Sequence, residues 1–587
     1  MLQHGLTYFS LYSKPANMKN PILKTPINLN NKWVWLATIL LITIVVYFPT
    51  FQFELLNYDD ERLIIKNKLI KDFSFYSLQL YFADYYDNIY QPFVLMSWAF
   101  DYAIDGLNPS VFHIHNLILH LINISLVFFF IQLLFNDKRI SIITAFLFAI
   151  QALHIESVAW ISERKDLVYS MYFLLSLIMY IKYIKTSQLK FYALSIVLFL
   201  FSLFSKGLAI ALAPTIFAID FFYRRKILSK KVILEKIPFL ILATIFAIIG
   251  SIGFFIHNKP SDISIVGKIL STGFVFFNYF TKVIFPYKLS AFHPYPEEIG
   301  GYYSIKFIIL TILSVLAIVA LFLLARKSRK LAFGALFFIV NILLALKLSQ
   351  ITNLGFIMAD RYTYISSIGI FIIVATFFIH LLKRFSRFKI PVLAILFAYM
   401  FFHTAISSQH IFVWQDSISI WDSIVEQYPD RSRFYNKRGM AKVDNGDFKG
   451  SIQDFSEAVN INPNYEKAYY CRADAYEKLK KWKMAIQDYS KIIDSDVNSS
   501  KAYSLRGKVY EKTSNYNKAL IDFNTAIEID PNHPKLYVQR AYFFYKTGDY
   551  QAAIQDYDIA LEIKPKMKIA KRQREMVLRK YREKSFF

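Results

Sequence analysis

Residues 500–533 read SKAYSLRGKVYEKTSNYNKALIDFNTAIEIDPNH, and the unit recurs. Tyr503 has counterparts at Tyr435, Tyr469 and Tyr537, a step of 34 residues. Gly507 answers to Gly439, Ala473 and Ala541, and Tyr516 to Phe448, Trp482 and Tyr550. Phe523 answers to Phe455, Tyr489 and Tyr557, and Pro531 to Pro463, Val497 and Pro565. A small residue lets two helices approach, a large aromatic fills the space between them, and proline ends the second helix. Each unit is therefore a helical hairpin that cannot bury its apolar face alone and must stack on its neighbours.

This is the tetratricopeptide pattern, repeated four times over residues 431–566. A half unit precedes it, because Trp414, Ile424 and Pro429 fall one period before Phe448, Ala458 and Pro463. Residues 411–430 thus read as a half repeat that leaves little linker, and 567–587 as a basic capping helix. Two charged ladders share the period: Arg438, Arg472, Arg506 and Arg540, and Asp454, Asp488, Asp522 and Asp556. The arginines either bind an acceptor chain or pair with the aspartates to fix packing. Pairing is favoured, since stacked repeats reuse the same neighbour contacts.

Working back from the repeats, the composition changes near residue 410. The chain has 587 residues, 55% hydrophobic and only 19% charged, with mean hydropathy +0.34. Long apolar runs crowd the first 410 residues. A bilayer core needs about 20 apolar helical residues, and spans are expected at 33–50, 112–135, 139–158, 166–184, 190–204, 207–222, 237–256, 304–325, 331–347, 361–382 and 390–408. The run 263–286 carries Lys268, Asn278 and Lys282 and is expected to lie at the interface. The fold class is all-α, with about eleven spans in 33–410, a cytoplasmic tail 1–32 and a helical solenoid. The run after Trp33 is long for a cleaved signal and reads as a signal anchor. Lys and Arg tracts between the apolar runs mark the cytoplasmic side, which puts the repeats on the other side.

The net charge of +25 would suit a nucleic-acid binder. The cations lie in short loop tracts, however, so membrane lipids are the expected neighbours and nucleic acid is not. Cys471 is the sole cysteine, which excludes an internal disulfide and a cysteine metal site. His113, His115 and His120 recur on one stretch without a clear accompanying carboxylate, so no metal site is assigned, and the need for a divalent ion stays open.

Polar residues at helix mouths are costly near lipid and tend to mark sites. Asn57-Tyr58-Asp59-Asp60-Glu61-Arg62 follows the first span. Neighbouring carboxylates in a partly dry cleft have raised pKa values and serve as bases; a solvated acidic turn is the plainer alternative. Further mouths carry Tyr90-Gln91-Pro92, His154-Ile155-Glu156-Ser157-Val158-Ala159-Trp160, Arg164-Lys165-Asp166, Ser205-Lys206-Gly207 and Ala359-Asp360-Arg361-Tyr362-Thr363-Tyr364.

In order and in motif, these segments resemble the transmembrane-and-tetratricopeptide family of protein O-mannosyltransferases over about residues 33–565. Gln91 stands where that family has Arg, and Ile155 where it has Pro. The resemblance implies a GT-C glycosyltransferase fold, a polyprenyl-phosphate sugar (mannose above all) as donor, and Ser or Thr of an exported polypeptide as acceptor, held by the repeats. It implies Asp59 or Asp60 as the catalytic carboxylate. Arg164, Lys165, Lys206 and Arg361 are expected to clamp donor phosphate. Tyr90, His154, Glu156, Asp166, Asp360 and Tyr362 are expected to orient the substrates. The competing readings are a membrane-anchored scaffold, which leaves these motifs without a task, and a transferase acting on lipid or polysaccharide.

Overall fold

The computed structural model describes residues 31–255, 264–295, 304–346 and 356–585. The tail 1–30 and residues 256–263, 296–303 and 347–355 lie outside the described residues. The described elements are helices, with one antiparallel pairing of His293–Pro294 with Phe356–Met358 and an isolated bridge between Tyr86 and Ile89.

Among the described residues, eight helices are long and apolar enough to cross a membrane, or nine if the bent pair Lys138–Ala149 and Ala152–Ala159 is one span. The 52° bend in that pair turns the His154–Trp160 segment across the top of the helix bundle. Two more apolar helices, Leu189–Leu203 and Gly207–Phe222, coincide with expected spans but are shorter than the bilayer core requires. By length and composition eight or nine spans pass among the described residues, and with the two shorter helices they fall on the eleven segments expected from the sequence. The break at Ser205-Lys206 divides what hydropathy alone reads as two full crossings. The polar run 263–286 forms the helix Ile265–Ile284, which packs on Ile305–Lys327: Ser314 Oγ donates to Gly273 O at 2.5 Å. Without a hydrophobic drive between helices in lipid, small residues permit close packing. Helix Arg329–Leu343 meets Ser367–Arg384 in this way, since a Cβ at Gly369 would lie 2.4 Å from Gly334 O.

The expected basic tracts gather at one end of the bundle. Arg329 reaches Phe222 O, Lys330 reaches Asp137, and Lys185 reaches Leu133 O. The charged mouths gather at the other end.

The repeats form four helical hairpins, Ser432–Asp444 with Phe448–Ile461 through Pro534–Thr547 with Tyr550–Ile563. Phe455, Tyr489, Phe523 and Tyr557 are all buried between paired helices. A Cβ on Gly439 would meet the Phe455 ring at 2.6 Å, which explains the small residue there. The half repeat is the helix Ser417–Gln427, joined to the last apolar helix through Ile411–Trp414. It docks on the mouth of the membrane bundle: Asn57 N donates to Ser417 Oγ at 2.9 Å, Glu54 N to Gln415 O at 3.0 Å, and Gln427 to Leu289 O at 2.6 Å.

Candidate functional site

The loop after the first span places its two aspartates differently. Asp60 is fully buried: Oδ2 accepts from Leu56 N at 3.0 Å, and Oδ1 accepts from Ser162 N at 3.0 Å and from Ser162 Oγ. Burial pushes its carboxyl up to about 6, against the pull of the Ser162 and Leu56 hydrogen bonds. The Asp59 carboxylate is 35% exposed and touches Arg62 at 3.2 Å, which in turn reaches Asp87 at 2.9 Å. Asp60 therefore pins the loop to the Trp160–Glu163 turn, and Asp59, held by Arg62 only through Oδ1, is the accessible one.

Because the folded Asp60 carboxyl sits at about 6, above the ordinary 3.8, the folded state holds its proton more tightly than the unfolded chain does. Stability should then fall as pH rises from about 4 through about 6, by about 3 kcal/mol in all. Thermal melts across that range should show this slope in the wild type, and Asp60→Asn should flatten it. An identical slope in both proteins would overturn this assignment.

Next to the loop, three cations converge on one carboxylate. Glu163 accepts Lys165 at 3.0 Å, Arg361 Nε at 3.2 Å and Lys206 at 3.5 Å. Lys206 also meets Asp166 at 2.6 Å, and Arg361 binds Glu156 through its side chain and its backbone N–H, the latter at 2.8 Å. The three acids are buried, whereas each cation side chain keeps 11–12% exposure. Arg361 lies over Trp160 at 5.4 Å and Tyr362 at 5.1 Å, and Lys206 over Tyr362 at 5.4 Å. Tyr58 packs on Trp160 at 5.0 Å, so the Asp59 loop sits directly against this cluster. A separate cleft of 540 Å³, which neither the three cations nor Asp59 line, lies between this loop and the half repeat, lined by Asn57, Glu61, Asp416 and Asp444 among others. Chemically, the arrangement offers an accessible carboxylate beside a group of fixed cations, as transfer from a phosphorylated donor requires.

Other expected residues lie elsewhere. Arg164 does not join Lys165. It is fully buried and bound to Asp101 at 2.5 Å, Asn116 at 2.6 Å and Phe112 O at 2.8 Å, which makes it a packing cation, not part of a clamp. His154 does not face a substrate either: it bridges Phe148 O at 2.9 Å and Ser367 Oγ at 3.1 Å inside an aromatic core. Asp360 forms a separate buried knot with Lys282 at 3.2 Å and His293 at 3.0 Å; these cations hold its carboxyl well below the usual carboxylate range. His293 continues to Tyr428 of the half repeat at 3.1 Å, so this knot fastens the solenoid to the bundle. Tyr90 donates to Phe82 O at 3.1 Å and lines the flank beside Phe204. His115 pairs with Asp101 and His120 with the Tyr364 hydroxyl, in different surroundings. Glu163, Lys282 and His293 were missed. Glu163 borders a quoted motif, and Lys282 was read only as polarity in an ambiguous run.

In the solenoid the arginine ladder is an ion-pair ladder. Arg472, Arg506 and Arg540 each make two bonds, of 2.7–2.9 Å, to Asp488, Asp522 and Asp556. Each also reaches the preceding hairpin, at Ser456, Ser490 and Asn524, and Arg438 pairs with Asp454 and Asp422 in the same way. The four arginines thus make the packing pairs that the sequence favours over acceptor binding.

The family models described as tetratricopeptide repeat match residues 439–480, 500–533 and 523–555. Among curated proteins, Protein O-mannosyl-transferase TMTC2 of Homo sapiens is 31% identical over 138 residues, 22% of this chain and 16% of its own length. Protein O-mannosyl-transferase F38B6.6 of Caenorhabditis elegans is 22% identical over 440 residues, 70% of this chain and 60% of its own length. Over these stretches the chain is similar to both proteins. The TMTC-like alignment thus spans 16% of the human relative and 60% of the nematode one. Among solved structures, MamA is 20% identical and covers 28% of this chain and 94% of its own, with a TM-score of 0.24, too low to carry an argument.

Proposed function

We propose that the chain is a multi-pass membrane glycosyltransferase that moves a sugar, mannose in the first instance, from a polyprenyl-phosphate carrier to Ser or Thr of a polypeptide on the non-cytoplasmic side. The observation that carries this reading is the convergence of Lys165, Lys206 and Arg361 beside the accessible Asp59. The names of the TMTC relatives agree with it. In this mechanism the acceptor hydroxyl oxygen attacks the anomeric carbon opposite the phosphate. Its proton passes to Asp59, the carbon–oxygen bond to phosphate breaks, and polyprenyl phosphate leaves with the electron pair. The anomeric configuration inverts. The three cations stabilise the charge that grows on the leaving phosphate, Asp60 and Ser162 hold the loop, and Trp160 and Tyr58 join base to clamp.

Lys165 is the clamp member that is simplest to remove, because its partner Glu163 keeps Lys206 and Arg361. The full chain in neutral-lipid nanodiscs should bind short-chain polyprenyl-phosphate mannose saturably, and Lys165→Met should weaken binding about tenfold while the fold is kept. Absence of saturable binding in the wild type, or equal binding by the variant, would overturn the clamp.

A further inference from the structure

A second ladder runs through the repeats with the same step as the arginine–aspartate ladder but without its pairing. Arg433, Lys467, Lys501 and Lys535 are spaced by 34 and occupy the first turn of the first helix in each hairpin. All four are exposed. Among the described residues none of them forms a salt bridge with a carboxylate, whereas the arginines one turn on each grip an aspartate. The paired ladder is explained by packing, and this one is not.

Arg433, Lys467 and Lys501 share one surface with Lys437, and Lys535 holds the next place in the repeat. Lys437, Lys467 and Lys501 all act on the thiol of Cys471, and Lys501 lies over Tyr470 at 4.1 Å. The ladder is also continuous with the candidate site. Arg433 stacks on Phe292 at 4.8 Å, and Lys437 lies over Trp421 at 5.9 Å. Trp421 meets Tyr58 at 5.5 Å, Tyr58 meets Trp160 at 5.0 Å, and Trp160 lies under Arg361. An aromatic path therefore joins the cation cluster to the start of the ladder. Two acids border the rail in the second hairpin, Glu466 in the same first turn as Lys467 and Asp474 beside the Cys471 thiol, whereas the first turns that carry Arg433, Lys501 and Lys535 hold no acidic residue.

We propose that this rail of Arg433, Lys467, Lys501 and Lys535 docks an acidic segment of the acceptor polypeptide and feeds its Ser or Thr to Asp59. This rests on the transferase reading and names the class of acceptor it prefers. Packed helices lie about 8–10 Å apart, which corresponds to about three residues of extended chain. Acidic residues repeating about every third position, to one side of the modified hydroxyl, fit the rail best.

The test uses the full chain in neutral-lipid nanodiscs and fluorescent Ser/Thr peptides that carry Asp and Glu, or Asn and Gln, at those positions. The acidic peptide should bind about tenfold more tightly, with affinity falling as salt rises. Lys467→Glu combined with Lys501→Glu and Lys535→Glu should abolish that preference. These lysines hold no carboxylate, so the melting temperature should stay put, and the corresponding Lys→Gln set serves if the reversal misfolds. Arg433 is left intact because it packs in the docking interface. Equal affinity for both peptides, or a preference that survives the substitutions, overturns the proposal. So does rail-dependent binding to phosphatidylglycerol vesicles with none to peptides. Acidic-peptide binding without sugar transfer would sink the transferase reading and keep the docking surface. Transfer that ignores acceptor charge would do the reverse.

Discussion

Asp59→Asn is expected to lower sugar transfer by about 10²–10⁴-fold, the range that general-base catalysis contributes, while the protein stays folded. Asp59 has a partly exposed carboxylate, and its ion pair is with Arg62, whose side chain is 59% exposed. An exposed pair of this kind contributes about 0–1 kcal/mol. The loss therefore falls on chemistry, and saturation kinetics should show it in kcat more than in KM. Asp60→Asn tests the same loop from the other side. It turns one acceptor oxygen toward the Leu56 N–H into a donor or forfeits the Ser162 bonds, so it should cost stability and loop order together. If Asp59→Asn transferred at the wild-type rate while a folded Asp60→Asn did not, the assignment of the base would be reversed.

The second large effect is on stability. Arg164→Met should cost about 3–5 kcal/mol, as expected when one partner of a buried ion pair is removed. It strips Asp101, itself buried, of its guanidinium and leaves only His115 at 2.7 Å. The carbonyls of Phe112 and Ser97 lose their donors at 2.8 and 3.1 Å as well. Thermal unfolding in detergent should show a lower melting temperature, and adding Asp101→Leu should recover part of it by removing the stranded charge. A variant that melts like the wild type but loses donor binding would return Arg164 to the clamp.

These two residues show what could be read from the chain and what could not. The 34-residue period disclosed the solenoid, because each repeat obeys the same local packing demand at Gly439, Phe455 and their counterparts. The half repeat was legible for the same reason. Hydropathy found every apolar helix. It did not show how short Leu189–Leu203 and Gly207–Phe222 are, since helix length depends on where the helix breaks. Motif adjacency misled at Arg164-Lys165: consecutive helical residues do not share a face, so one cation entered the core and its neighbour the cluster. Asp59 and Asp60 differ only in what folds over them, and the Ser162 backbone that buries Asp60 lies 102 residues away. Glu163, the carboxylate on which the clamp converges, has no signature of its own. Its importance arises from Lys206 and Arg361, brought to it by turns distant in sequence.

The most direct measurement supplies labelled polyprenyl-phosphate mannose to membranes that contain the wild type or Asp59→Asn at equal protein level, and follows the label into polypeptide, lipid and polymer fractions. The account predicts label in the polypeptide fraction, on Ser or Thr, in the wild type alone. Label that is absent from every fraction, that does not depend on Asp59, or that goes to lipid or polymer instead would contradict it.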